Sequence, residues 1–237
     1  MIQNTRIRDI AVELLKQESD RDKQKNIGAS DFSDPCAYHL AKKLLREPEQ
    51  PSKYWLGAKV GTAIHSYLED AMEKADYGSM PELTSRVVEK KIYLGELEGY
   101  GVINSKPDLV LVEDDHLVDW KTTSREKSRK MQRVLFESAK LPDMEYTLEK
   151  YYTQTQIYAW GLVKAGHKID GVSIVFVNRD GTTENDVWAW TFEYDPEHAQ
   201  TAWDRLEAIW RGLQANPDPS QFDRHDHCFK CKVTDPA

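Results

Sequence analysis

The sequence predicts an α/β fold in which a central mixed β-sheet is flanked by helices, and three observations predict it. Segments of helical period alternate with short β-patterned runs, in the order helix, strands, helix, strands, helix. Two pairs of these runs are separated by short turn signals, "EDD" in one case and "NRDG" in the other, as in hairpins. Apolar residues make up 40% of the 237 positions and include seven Trp and eleven Tyr, enough to fill the core of one large domain.

Residues 1–30 are expected to form an N-terminal helical segment that runs into charge. Residues 31–237 form the main domain with a cysteine-containing C-terminal tail. Ser33 or Asp34 is placed to cap a helix with Pro35 in its first turn, and "REPEQPSK" is a loop. From Lys59 to Lys74, Val60, Ile64, Leu68, Ala71 and Met72 recur at helical spacing, and His65 shares their face. "SRVVEKKIYL" with "EGYGVI" reads as one strand pair and "PDLVLV" with "HLVDWKTT" as another. Residues 146–165 return to helix. "GVSIVFV" and "DVWAWTFEY" form a further hairpin with Trp188, Trp190, Phe192 and Tyr194 on one face. Asp195 and Pro196 open a last helix whose Trp203, Leu206, Trp210 and Leu213 form an apolar stripe, and "NPDP" stops it.

No run approaches the roughly 18 apolar residues of a membrane span. The N-terminal segment lacks the apolar core and cleavage site of a signal peptide. A cytoplasmic protein with no membrane partner is expected. The formal charge of −8 excludes a simple basic nucleic-acid coat, but "KTTSREKSRKMQR" (121–133) gathers six Lys or Arg against one Glu.

The chemistry centres on "KPDLVLVEDDHLVDWKTTS". Alternate strand residues share a face, so Asp119 and Lys121 project together and Trp120 faces the other layer. Asp108 begins the partner strand and can lie beside Asp119. Two adjacent carboxylates repel unless a cation sits between them, and a hard divalent ion such as Mg²⁺ or Mn²⁺ suits oxygen ligands. A nearby ammonium then steadies negative charge at a phosphate. Three more features accompany the hairpin: the inward His65 of "GTAIHSYLED", Glu89 in "VVEKK", and Gln154 and Tyr158 one helical turn apart in "QTQIY".

The ordered set Gly61-x-x-x-His65, Pro107-Asp108, Asp119-Trp120-Lys121 and Gln154-x-x-x-Tyr158 resembles the PD-(D/E)XK nuclease superfamily. Within it the set is similar to the RecB-like branch, with its CRISPR-associated and phage exonucleases, over about residues 30–231. The resemblance implies a restriction-endonuclease-like core and a metal-dependent DNA exonuclease. His65, Asp108 and Asp119 would ligate the metal, joined by the backbone carbonyl of Trp120. Lys121 would be the catalytic lysine, and Gln154 and Tyr158 would help to bind DNA and hold the site. Glu89 is either an additional ligand, a residue supporting one, or a solvated strand-edge residue. Arg125, Lys127, Arg129 and Lys130 of the basic stretch would contact the DNA backbone.

Cys36, Cys228 and Cys231 are the three cysteines, and the last two have metal-ligand spacing. An odd count argues against a disulfide framework. RecB-like relatives with a 4Fe–4S cluster take one Cys early and three from the C-terminus, so three-quarters of that pattern is present. His225, His227 or another residue that the sequence does not single out would be the fourth ligand of either an iron–sulfur cluster or zinc; free cysteines are the alternative. Beside the exonuclease stand two other readings: a DNA-binding or scaffold module of a repair, recombination or CRISPR adaptation complex, and a Mg²⁺ enzyme of small phosphates. The chain has no P-loop and no Gly-rich dinucleotide fingerprint. A homo-oligomer or a repair partner is compatible with each.

Overall fold

The computed structural model describes residues 26–47, 55–75, 85–88 and 90–234, with Arg8, Asp9, Val12, Glu13 and Leu15 helical before them. Helices α1 (Ala29–Phe32), α2 (Ala37–Leu44) and α3 (Trp55–Lys74) come first. Strands β1 (Arg86–Val88), β2 (Ile92–Leu97), β3 (Gly101–Ser105), β4 (Leu109–Leu111) and β5 (His116–Thr123) follow. Then come α4 (Arg125–Glu137), α5 (Pro142–Lys164), β6 (Gly171–Asn178), β7 (Val187–Glu193), α6 (Pro196–Ala215) and α7 (Phe229–Thr234).

Five strands form a mixed sheet in the order β1-β4-β5-β6-β7. Only β5 and β6 run parallel; the other neighbours are antiparallel. A parallel join needs a long crossover, which α4 and α5 supply. The two expected hairpins, β4–β5 and β6–β7, are both present. In the first, Asp115 takes the left-handed conformation (φ 50°) that a short polar side chain tolerates at a turn.

One strand pairing differs from the sequence expectation. Residues 85–94 do not continue as a single strand. Arg86–Val88 pairs with β4 in the main sheet, while Ile92–Leu97 pairs with Gly101–Ser105 in a separate two-stranded sheet. The exposed Lys90 and Lys91 lie in the break. Val88 packs with Met72 of α3, Leu109 and Val118, whereas Val87, Ile92 and Leu94 join the main core with Leu117 and Leu162. The cap of α2 also differs. Cys36 is the N-cap, its Sγ accepting from His39 N at 3.4 Å, and Asp34 instead accepts from Cys36 N at 3.1 Å.

The main core joins Leu117 and Val172 of the sheet to Ile157 and Leu162 of α5 and to Trp203 and Leu206 of α6. Ile27 and Ala29 belong to it too, so the chain just before residue 31 is packed with the main domain. A second cluster holds Met131 of α4, Leu148 of α5, Ile174 and Phe176, and the β7 aromatics cover it; Trp188 stacks on Phe176 at 4.2 Å. Met72 of α3 packs with Leu109 and Val118 in a third. Among the described residues no helix is long and apolar enough to cross a membrane.

Gly95 shows how closely β2 approaches α6, since a Cβ there would lie 2.3 Å from Trp203 Cη2. Gly95→Ala is expected to cost about 1–3 kcal/mol through overpacking, read as a shift in the denaturation midpoint.

Candidate active site

The antiparallel register of β4 and β5 pairs Leu109 with Val118. The next pair out is therefore Asp108 and Asp119, which sets the two carboxylates side by side. Both are buried, Asp119 to 1% exposure. Asp108 Oδ2 accepts from Trp120 N at 2.7 Å, and its Oδ1 lies 3.4 Å from His65 Nδ1 of α3. Lys121 Nζ stands 2.6 Å from Asp119 Oδ2. Asp119 is itself buried, and the Lys121 ammonium is its close charged partner.

The two aspartates sit in opposite electrostatic states. Burial raises the Asp119 carboxyl, and Asp108 adds to this while Lys121 opposes it, so the group is pushed up to about 6. Burial acts on Asp108 in the same sense, but His65 and Lys121 outweigh it and hold that carboxyl below its ordinary value. Burial disfavours the Lys121 ammonium, yet Asp119, Tyr158 and Asp108 more than compensate and raise its pKa. Lys121 is therefore a held cation.

Three elements complete the cleft. Gly61 lets α3 pass β5, since a Cβ there would lie 2.9 Å from Thr122 Oγ1. This close approach is what brings His65, one turn on, to Asp108. Gly61→Ala is expected to displace α3 and lower turnover while costing no more than about 1–3 kcal/mol of stability, measured by parallel kinetics and unfolding. From α5, Gln154 Nε2 donates to Tyr158 Oη at 2.7 Å, with both side chains buried. Burial raises the Tyr158 phenol, so it stays protonated. Tyr151, whose ring centre is 5.3 Å from Lys121 Nζ, was not singled out by sequence reasoning. Its spacing with Gln154 and Tyr158, three and seven residues on, was the available signal.

The donor set suits a hard divalent cation. Two adjacent buried carboxylates give the oxygen-rich environment that Mg²⁺ and Mn²⁺ take, and His65 adds a nitrogen compatible with Mn²⁺. Glu89 lies outside the described residues.

The basic stretch after Lys121 forms α4, capped by Ser124 Oγ accepting from Lys127 N at 3.2 Å. Arg125 makes a bidentate pair with Asp186 at 2.8 and 2.7 Å, tying α4 to the loop before β7. Lys130 pairs with Glu126 at 2.6 Å, while Lys127 and Arg129 have no ion-pair partner among the described residues. Arg129 and Lys130 are exposed.

The cysteines gather elsewhere. Cys36, Cys228 and Cys231 place their sulfurs within 4.8 Å of one another, and Cys36 and Cys231 are 3.6 Å apart. The histidines expected to join them are turned to other partners. His225 Nδ1 accepts from His227 N at 3.1 Å, and His227 Nδ1 is 2.7 Å from Asp143 Oδ1. Sequence reasoning missed the network beside this cluster. Asp34 accepts from Tyr146 Oη, from Cys36 N at 3.1 Å and from Lys150 Nζ at 2.7 Å.

No protein-family model matches the chain, and neither does any curated protein. Solved structures do. A protein of Eubacterium rectale designated an exonuclease matches with a TM-score of 0.53 and 16% identity, over 91% of this chain and 92% of that one. An alkaline exonuclease from Laribacter hongkongensis matches with a TM-score of 0.50 and 13% identity, over 81% of this chain and 89% of that one. The chain thus has the mixed α/β fold found in these exonucleases.

Proposed function

We propose that the protein is a metal-dependent DNA exonuclease of the PD-(D/E)XK type, similar to the RecB-like branch, acting on DNA in the cytoplasm. The observation that carries this reading is the buried pair Asp108 and Asp119 with Lys121 and His65 closing around it. The exonuclease fold of the structural neighbours supports it.

Asp108, Asp119 and His65, with the Trp120 carbonyl, would hold Mg²⁺ or Mn²⁺. A cation there supplies charge neutralisation at the phosphate and lowers the pKa of water. Lys121 is held protonated, so its role is electrostatic: it steadies the charge that develops on the phosphoryl oxygens and does not abstract a proton. Tyr151 lies over the ammonium and limits its wandering. Tyr158, kept neutral, and Gln154 orient the inner wall. Lys127, Arg129 and Lys130 on α4 would meet the DNA backbone, and Arg125 holds α4 in place through Asp186.

The test is degradation of end-labelled single- and double-stranded DNA with Mg²⁺ or Mn²⁺, with EDTA as control. Metal-dependent release of nucleotides from one end is expected, with the label reporting polarity. Degradation of free nucleotides but not DNA would overturn the reading. DNA binding should also weaken as salt rises, and a K127A/R129A/K130A variant should show a shallower salt slope by titration.

A further inference from the structure

Two short segments far apart in sequence meet at the cysteines, and each carries a ligand pair three residues apart. One is Cys36-Ala-Tyr-His39 at the start of α2; the other is Cys228-Phe-Lys-Cys231 at the start of α7. Their backbone geometry matches. His39 N donates to Cys36 Sγ at 3.4 Å and Cys231 N donates to Cys228 Sγ at 3.5 Å, so each leading sulfur is held by the amide of its own partner. Such N–H···S bonds favour thiolate over thiol, the form a metal binds.

The spacing of the sulfurs selects the kind of metal. An ion holding thiolates tetrahedrally at about 2.3 Å sets the sulfurs about 3.8 Å apart. Cys36 and Cys231 are 3.6 Å apart and the whole triad lies within 4.8 Å, which is the scale of a single ion. The 4Fe–4S cluster that the family resemblance implies fits poorly. It takes four thiolates, each on a different iron and so more widely spread, and the chain has three cysteines.

The fourth position falls to His39. An imidazole nitrogen of His39, a sulfur of Cys228 and a carboxylate oxygen of Asp34 lie within 4.8 Å of one another, so His39 meets the thiol triad at Cys228. Asp34 is committed to Tyr146, Lys150 and the Cys36 amide. It also stands 3.6 Å from His39 Nδ1, where a carboxylate orients a ligating imidazole. We propose that Cys36, His39, Cys228 and Cys231 bind one structural zinc ion that pins α7 to the start of α2, at a site separate from the carboxylate centre. Seating the ion requires the His39 ring to turn toward the triad. Three sulfurs and one nitrogen suit Zn²⁺ and disfavour Mg²⁺ and Mn²⁺. This proposal does not rest on the nuclease reading.

Elemental analysis of the full chain, purified anaerobically without chelator, should find one zinc per chain and almost no iron. His39→Gln should lose most of the zinc, whereas a His225→Gln/His227→Gln variant and an Asp108→Asn/Asp119→Asn variant should keep it. Cobalt exchanged into the wild type should give the intense visible bands of a tetrahedral sulfur-rich site, and these should weaken in His39→Gln. Removing zinc with a strong chelator should lower the melting temperature by several degrees, reversibly on adding zinc back, which tests the site even if a variant fails to fold. Stoichiometric iron with sulfide, protein free of any metal, zinc retained in His39→Gln, or zinc lost with the aspartates would each overturn the proposal.

Discussion

Asp119→Asn is expected to reduce metal-dependent DNA degradation about a thousandfold while leaving the folded protein at least as stable as the wild type. The activity loss approaches the upper range for removing one group that stabilises developing charge, about 10²–10³-fold. The variant replaces one of the two buried carboxylates that would hold the metal with a neutral amide. Stability is expected to move the other way because the wild-type arrangement is costly. Asp119 is 1% exposed, lies next to Asp108, and has its carboxyl pushed up to about 6 by burial. An amide of the same shape ends that desolvation and repulsion, and Lys121 keeps Asp108 as a nearby anion. Residues that destabilise a fold in order to perform chemistry behave in this way. Kinetics and thermal unfolding in EDTA would be compared side by side. An Asn variant that melts well below the wild type would mean that Asp119 is a structural ion-pair partner, and the site reading would fail.

The second large effect is on folding alone. Asp34→Ala should destabilise the protein by about 3–5 kcal/mol, the cost of removing one partner from a buried charged network. For a chain of this size that corresponds to a fall of roughly 10 °C in melting temperature. The Asp34 side chain is 4% exposed and gathers Lys150, Tyr146 and the Cys36 amide. Burial penalises its charge, but His39, Lys150 and Tyr146 outweigh that and hold the carboxyl far below its ordinary range. Arg205 reinforces the same corner, donating to the carbonyls of Phe32, Pro35 and Asp34 at 2.8, 3.1 and 2.6 Å. The exposed pair Lys74–Asp70 provides the contrast. Both its side chains face solvent, and Asp70→Ala should change stability by less than about 0.5 kcal/mol. Equal effects of the two substitutions in urea unfolding would show that the Asp34 network carries no special weight.

The candidate site was largely legible because its central part is local. Asp108 and Asp119 belong to one hairpin, and strand alternation plus a four-residue turn fixes which side chains meet. Gln154 and Tyr158 were legible for the same reason, since one helical turn joins them. The break between Val88 and Ile92 was not legible. Nothing in "VVEKKIYL" says that its two halves would find different sheets, because strand propensity does not name a partner. The α2 cap, expected at Ser33 or Asp34, fell two or three residues later, since Cys36 took a role usually filled by an oxygen and left Asp34 to the buried network.

The sequence by itself determined the alternation of elements, the shared face of Asp119 and Lys121, and the three-residue spacing of each cysteine segment. These depend on helical and strand periods, which act over a few residues. Only the tertiary structure decided that α3 delivers His65 to Asp108, that Asp34 meets Tyr146 across 112 residues, and that Cys36 meets Cys231 across 195. Such partners are chosen by how helices and sheet bury their apolar faces together, and no local pattern encodes that choice.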